Sequence, residues 1–212
     1  MKFTHLMLIA VLAAVPGCKI VFESDQETTI PEGPEGDNQR NAARLEETFD
    51  SQLLPRITGT AVTVAVLKQR LASDGMDALG AEIGNQGSGV GAAWNFSLTD
   101  SGTVVAAKLD TSARTVDVDT DGDQKPDLRV QLGPVIRGTA LRDVAPFYVF
   151  DDFRDQIEFA KLARAVNNRV KASLTIPDGD LIGQTVTFTG VVALKSPKDS
   201  LVLTPISVEF TP

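Results

Sequence analysis

Trp94-Asn95-Phe96-Ser97-Leu98-Thr99-Asp100-Ser101-Gly102-Thr103-Val104-Val105-Ala106-Ala107-Lys108-Leu109 decides the fold class. Trp94, Phe96 and Leu98 alternate with polar residues, which is the two-residue period of a half-buried strand. Asp100-Ser101-Gly102 carries turn chemistry, so the segment predicts a hairpin whose second strand runs from Val104 to Leu109. Downstream, Val116 and Val118 alternate before an acidic turn, and Leu128, Val130 and Leu132 alternate after it, which predicts a second hairpin. Val186, Phe188 and Val192, then Ile206, Val208 and Phe210, repeat the pattern near the end of the chain.

Helical periods surround these strands. Leu45, Phe49 and Leu53 recur every four residues, and Pro55 is expected to close that helix. Thr60 to Leu67 is β-branched and has strand propensity. Ala61, Val64, Leu67 and Leu71 nevertheless make a helical stripe, so a helix is expected there. Asp74 is placed to cap a further short helix ending near Gly84. Phe153, Ile157, Ala160, Ala163, Val166 and Val170 predict one face of a longer helix, with Asp152 and Asp155 arranged as in a capping box. The glycine-rich run Gly84 to Gly91 lacks the Lys-Ser/Thr of a phosphate loop and reads as a connection. The fold expected is α+β: N-terminal helices, then a mostly antiparallel, OB-like small β-barrel with one embedded helix.

The start of the chain reads as an address. Lys2 and His5 precede a ten-residue apolar run, Leu6 to Val15, too short to span a bilayer and suited to an export signal over residues 1–17. Val15-Pro16-Gly17-Cys18 resembles a bacterial lipobox, in which Cys18 is acylated and becomes the first residue of the exported protein. Acyl chains, at about 0.8 kcal/mol per buried methylene, hold a protein on a membrane without a spanning helix. Lys19 after the Cys favours the outer membrane over the inner. Residues 18–41 are rich in Glu, Pro, Gly, Gln and Asn, and read as the lipidated Cys followed by an acidic tether. Residues 42–212 are then expected to form a single globular domain.

Elimination narrows the chemistry. The chain has one His and one Cys, His5 and Cys18, so beyond the signal and the lipid site it holds no imidazole and no free thiol. Ser-His-Asp and Cys-His catalysis and the usual zinc sites are excluded within one chain. A net charge of −8, from 20 Lys and Arg against 28 Asp and Glu, argues against nucleic acid as a partner. No enzymatic activity is expected. The alternative is a carboxylate-based glycoside hydrolase or another periplasmic enzyme.

The acidic turn is the sharpest local motif. Asp119, Asp121, Asp123 and Asp127 occupy positions 1, 3, 5 and 9 of a calcium-loop pattern, with the carbonyl of Lys125 at position 7. Val130 stands where an EF-hand has its bidentate Glu, and Gln124 stands where Gly permits the sharp turn. Calcium is the candidate cofactor. A solvated Asp-rich hairpin turn, compensated by Arg114 and Arg129, is the plainer reading.

Gly133-Pro134-Val135-Ile136-Arg137-Gly138-Thr139-Ala140-Leu141-Arg142-Asp143 offers two guanidinium groups among small residues. Arg137 and Arg142 could fork onto a carboxylate or a sugar diol, and Trp94 is the one indole available as a sugar platform. Internal ion pairs with Asp143, Asp151, Asp152 or Glu158 are the alternative. Together with Cys18-Lys19-Ile20, the Asp-rich turn, Gln131-Leu132 before this segment, Asp155 to Phe159 and Gly183 to Val186, it resembles a bacterial family of periplasmic lipoproteins of unknown function encoded beside ribose-type sugar ABC importers. The resemblance spans nearly the whole exported chain. It implies a small β-barrel and a lipid-anchored accessory of sugar uptake, with importer components or a small sugar as partners. It carries over no catalytic residues.

Overall fold

The computed structural model describes residues 30–211. The expected signal and Cys18 lie outside the described residues. A short strand β1 (Asn85–Gln86) leads into β2 (Trp94–Lys108), β3 (Ala113–Asp119), β4 (Leu128–Pro134), β5 (Thr185–Leu194) and β6 (Leu201–Thr211). The order β2-β3-β4-β6-β5 closes on itself because β2 also pairs with β5. Among the barrel strands only β4 and β6 run parallel, over Leu128–Val130 against Leu201–Leu203. This is an OB-type barrel, with its helix inserted between the third and fourth barrel strands.

The predicted first hairpin is a single long strand. Trp94 to Thr103 pairs with β5, and Thr103 to Lys108 pairs with β3, so β2 serves both halves of the barrel. The strand turns the corner at Gly102. A Cβ there would lie 2.2 Å from the Asp119 carbonyl oxygen, so only glycine admits the close approach. Asp100 is polar for another reason: its carboxylate accepts the Val64 N–H at 2.9 Å. The second hairpin forms as expected, and the two late alternating segments are strands that pair antiparallel with each other.

Four helices precede the barrel: α1 (Asp37–Thr48), α2 (Leu54–Thr60), α3 (Val64–Ser73) and α4 (Met76–Ile83). Pro55 does not end the first of these runs. Phe49–Leu53 is a π-helical turn that carries α1 straight into α2, with Pro55 in the first turn of α2. The missing N–H of Pro55 falls where the π-turn hands over to α2, so the ladder is interrupted there without ending the helix. The wider turn also explains the four-residue spacing, because it keeps Leu45, Phe49, Leu53 and Ile57 on one buried face. The segment before α3 satisfies both expectations at once. Val62 exchanges backbone hydrogen bonds with Ser97 and Thr99, and Thr63 caps the helix by accepting from Val66. Asp74 does not cap α4, whose N-terminus is at Gly75; its carboxylate binds Arg70 instead.

Two apolar cores result. One fills the barrel, with Phe96, Phe188 and Leu203 inside and Leu67 and Leu79 of α3 and α4 closing it. The other joins α1 and α2 to α5 (Ala140–Asp143) and α6 (Gln156–Ser173) against Val191 of β5. The α6 face is rotated from the predicted one: Phe159, Leu162, Val166 and Val170 are buried, and Ile157 is 61% exposed. Asp155 alone caps the helix, accepting from Ile157 and Glu158 at 2.8 and 2.9 Å.

Candidate functional site

The Arg-bearing segment after β4 is held by two buried amides. Gln131 donates to the Arg137 carbonyl at 3.1 Å and accepts the Arg137 N–H at 2.8 Å. Its Nε2 also reaches Thr204 Oγ1 at 3.1 Å. From the other side Asn167 of α6 donates to the Gly138 carbonyl at 3.0 Å. The loop between β2 and β3 joins in, as Val135 N–H donates to the Ser112 carbonyl at 2.8 Å. Gly138, with φ +93°, supplies the left-handed step. Arg137 is therefore fixed at its backbone while its side chain is exposed.

Beneath it lies a groove of about 580 Å³, opened where β4 and β6 part after three paired residues. Lys108, Arg129 and Arg137 line it with Thr115 and Thr204, and no Asp or Glu does. Arg129 forks onto Asp117 at 2.7 and 2.9 Å.

The three residues expected to share a binding cleft are not brought together. Arg142 is 8% exposed; its guanidinium binds Asp143 Oδ1 at 2.7 Å and the Phe159 carbonyl at 3.0 Å, and stacks 3.5 Å above the Phe159 ring. It makes the internal ion pair that is the alternative reading. Trp94 packs its ring on Gly80 of α4 and donates to Asp77 at 3.0 Å, so it seals the barrel beside α4. Arg137 alone faces the groove.

In the acidic turn, Asp119, Asp121 and Asp127 bring one carboxylate oxygen each within 4.8 Å of one another. Asp123 stays apart, bonded to the Lys125 N–H at 2.8 Å and its ammonium at 2.9 Å. Asp119 accepts from the N–H groups of Asp121, Gly122 and Gln124, at 3.1, 2.7 and 2.7 Å. Asp127 accepts from Thr120 and is met on its other oxygen by the Lys68 ammonium of α3. Burial pushes the Asp127 carboxyl up, but Lys68 and Thr120 outweigh it and hold it below its ordinary range. Gln124 takes the left-handed conformation, φ +66°, that glycine usually supplies.

A buried ionic cluster at the start of α1 has no signature in the sequence. Asp37, assigned to the tether, is fully buried. It receives Arg40 at 2.6 Å, Lys161 at 2.8 Å and Arg154 at 3.0 Å. Beside it Glu158 accepts from Arg40 at 2.7 Å and the Arg154 N–H at 2.8 Å. The Arg154 guanidinium, then the Lys161 ammonium, bring the Asp37 carboxyl down to about 2. The folded body thus includes at least residues 37–41, placed by the sequence reading in the tether; no long-range pattern announces a lone Asp that meets α6.

Among the described residues no helix is long and apolar enough to cross a membrane. A crystal structure of an OB-fold protein from Thermotoga maritima superposes with a TM-score of 0.55, covering 82% of this chain and 96% of that one at 16% identity. It shares the fold. A comparison with curated proteins finds no match. A family model matches residues 8–209, from within the apolar leader to the last strand, and the chain belongs to the family described as predicted periplasmic lipoprotein (DUF2291).

Proposed function

We propose that this protein is a non-enzymatic, lipid-anchored accessory of solute uptake at the periplasmic face of a bacterial membrane, acting with components of a sugar ABC importer. One observation carries it: an OB-type barrel belonging to a periplasmic lipoprotein family has a solvent-open groove and, beyond Cys18, neither thiol nor imidazole. Lys19 favours the outer membrane. Hydrolysis by paired carboxylates is less well supported. A general acid needs a raised pKa, whereas Asp37 and Glu158, the acids buried side by side, are both held low by their cationic neighbours. Crosslinking in intact cells followed by mass spectrometry tests the role. Recovery of an importer's binding protein or permease is expected; a product list without either removes the importer from the account.

Calcium belongs to the same proposal as a tie for the β3–β4 turn, supported by the convergence of Asp119, Asp121 and Asp127. Three carboxylates supply part of the six to eight oxygens calcium takes, which suits a weak site with a Kd of about 10⁻⁴–10⁻³ M. At ten to a hundred times that Kd, binding contributes about 1.4–2.7 kcal/mol, or roughly 3–10 °C in melting temperature. Lys68→Ala, which removes the competing ammonium, should enlarge the shift. Calorimetry with no heat at millimolar calcium would dismiss the metal.

A further inference from the structure

We propose that the groove between β4 and β6 binds a small hydroxylated anion: a monosaccharide-sized body carrying a carboxylate or a phosphate, clamped by Arg137 and Lys108. The proposal deepens the solute-capture side of the function above and borrows from it only the compartment.

Charge is the first argument. The chain carries more acid than base, yet the lining holds Lys108, Arg129 and Arg137 and no carboxylate. Arg129 is already forked onto Asp117 at the rim. Among the described residues, Lys108 and Arg137 have no acidic partner, which leaves two cations facing one volume. A guanidinium fork recognises carboxylate and phosphate oxygens alike.

Preorganisation is the second. A buried glutamine and a buried asparagine hold the backbone on either side of Arg137, at 2.8, 3.1 and 3.0 Å. Both amides are buried, so the clamp is shielded from water. Fixing the base of a long side chain lowers the ordering cost of binding through its tip. A simple surface turn has no need of two buried amides on consecutive residues.

Polar lining and size are the third. Thr111, Ser112 and Thr115 line the same volume with hydroxyl side chains, suited to a ligand that is itself hydroxylated, while the hydroxyls of Thr139 and Thr204 are bonded to Asp143 and Gln131. The groove, at about 580 Å³, lies within the range of small-molecule sites. No aromatic side chain lines it, which disfavours a neutral sugar held by stacking.

Calorimetry on the full-length lipidated chain in detergent decides the matter, with galacturonate, ribose 5-phosphate, inorganic phosphate and ribose as probes. Either sugar anion should bind, and the tighter of the two identifies the anionic group. Arg137→Ala and Lys108→Ala, both at exposed positions, should each weaken that binding about tenfold or more while leaving the melting temperature unchanged. Ribose binding as tightly as the sugar anions would overturn the charge argument. Inorganic phosphate matching ribose 5-phosphate would overturn the hydroxylated body. No heat from any probe at about 10 mM, a concentration well above ordinary solute affinities, would overturn the site. Crosslinking to an importer is read separately, so the accessory role and the ligand site fail independently.

Discussion

Alanine at Asp37 is expected to lower the melting temperature by roughly 5–15 °C. Three cations, Arg40, Arg154 and Lys161, converge on this carboxylate. Removing it leaves them facing one another, half-sheltered, with Glu158 to answer Arg40, Asp155 to answer Arg154 and, among the described residues, no acid for Lys161. Loss of one partner from a buried ionic group costs far more than the intact group contributes, because the remainder stay desolvated and unpaired. Asp37→Asn, which keeps the shape and an acceptor oxygen, should fall between alanine and the parent. A drop under about 2 °C, the range of ordinary surface changes, would show the cluster to be idle.

Acid titration reads the same contact with a definite sign. The Asp37 carboxyl sits near 2 in the folded protein against an ordinary value of 3.8, because Arg154 and then Lys161 favour its charged form. Its contribution is complete above the unfolded value and disappears as pH falls through the folded one. Stability should therefore decline between about pH 4 and pH 2. Asp37→Ala should flatten that limb and leave the neutral side of the profile parallel to the parent's. Glu158, buried yet held low by Arg40 and the Arg154 N–H, keeps a residual slope in the variant.

The barrel was legible in the sequence because alternation is local: Val116 and Val118, Val186 and Phe188, and Leu128 to Leu132 declare their inward faces within a few residues. What misled was chemistry with two uses. Asp100-Ser101-Gly102 looks like a turn, but the Asp serves α3 and the Gly serves a strand crossing, both through partners distant in sequence. Pro55 looks like a stop, but a π-helical turn ahead of it moves it into a first-turn position. The site divides the same way. Arg137 and Arg142 are alike in sequence, five residues apart among small neighbours. Asp143, next in sequence, is a legible partner for Arg142, but only the fold sets the Phe159 ring and carbonyl against it and leaves Arg137 facing the groove. Asp37, in a segment with disordered composition, meets Arg154 just before α6 and Lys161 within it, partners more than a hundred residues away.

Gly102 and Gly59 make a paired test in which adding a side chain to a glycine should have opposite signs. Valine at Gly102 is expected to destabilise the barrel by about 3 kcal/mol or more, beyond ordinary overpacking. The added Cβ would stand 2.2 Å from the Asp119 oxygen and 2.8 Å from a Val118 methyl group. The first of these is backbone, so the strain cannot relax by a rotamer change. It must part β2 from β3 at the corner where β2 leaves β5, and it would unseat Asp119, which organises the acidic turn. Alanine at Gly59, on the exposed side of α2, meets nothing within 4 Å and requires no left-handed backbone. It should stabilise by roughly 0.5–1 kcal/mol, because alanine loses less freedom than glycine on entering a helix. Denaturant melts of the two variants, compared at equal m-value, measure both. A Gly102→Val protein as stable as the parent would mean that β2 does not bend through this point, and the single strand that joins the two halves of the barrel would have to be redrawn as the hairpin its sequence suggests.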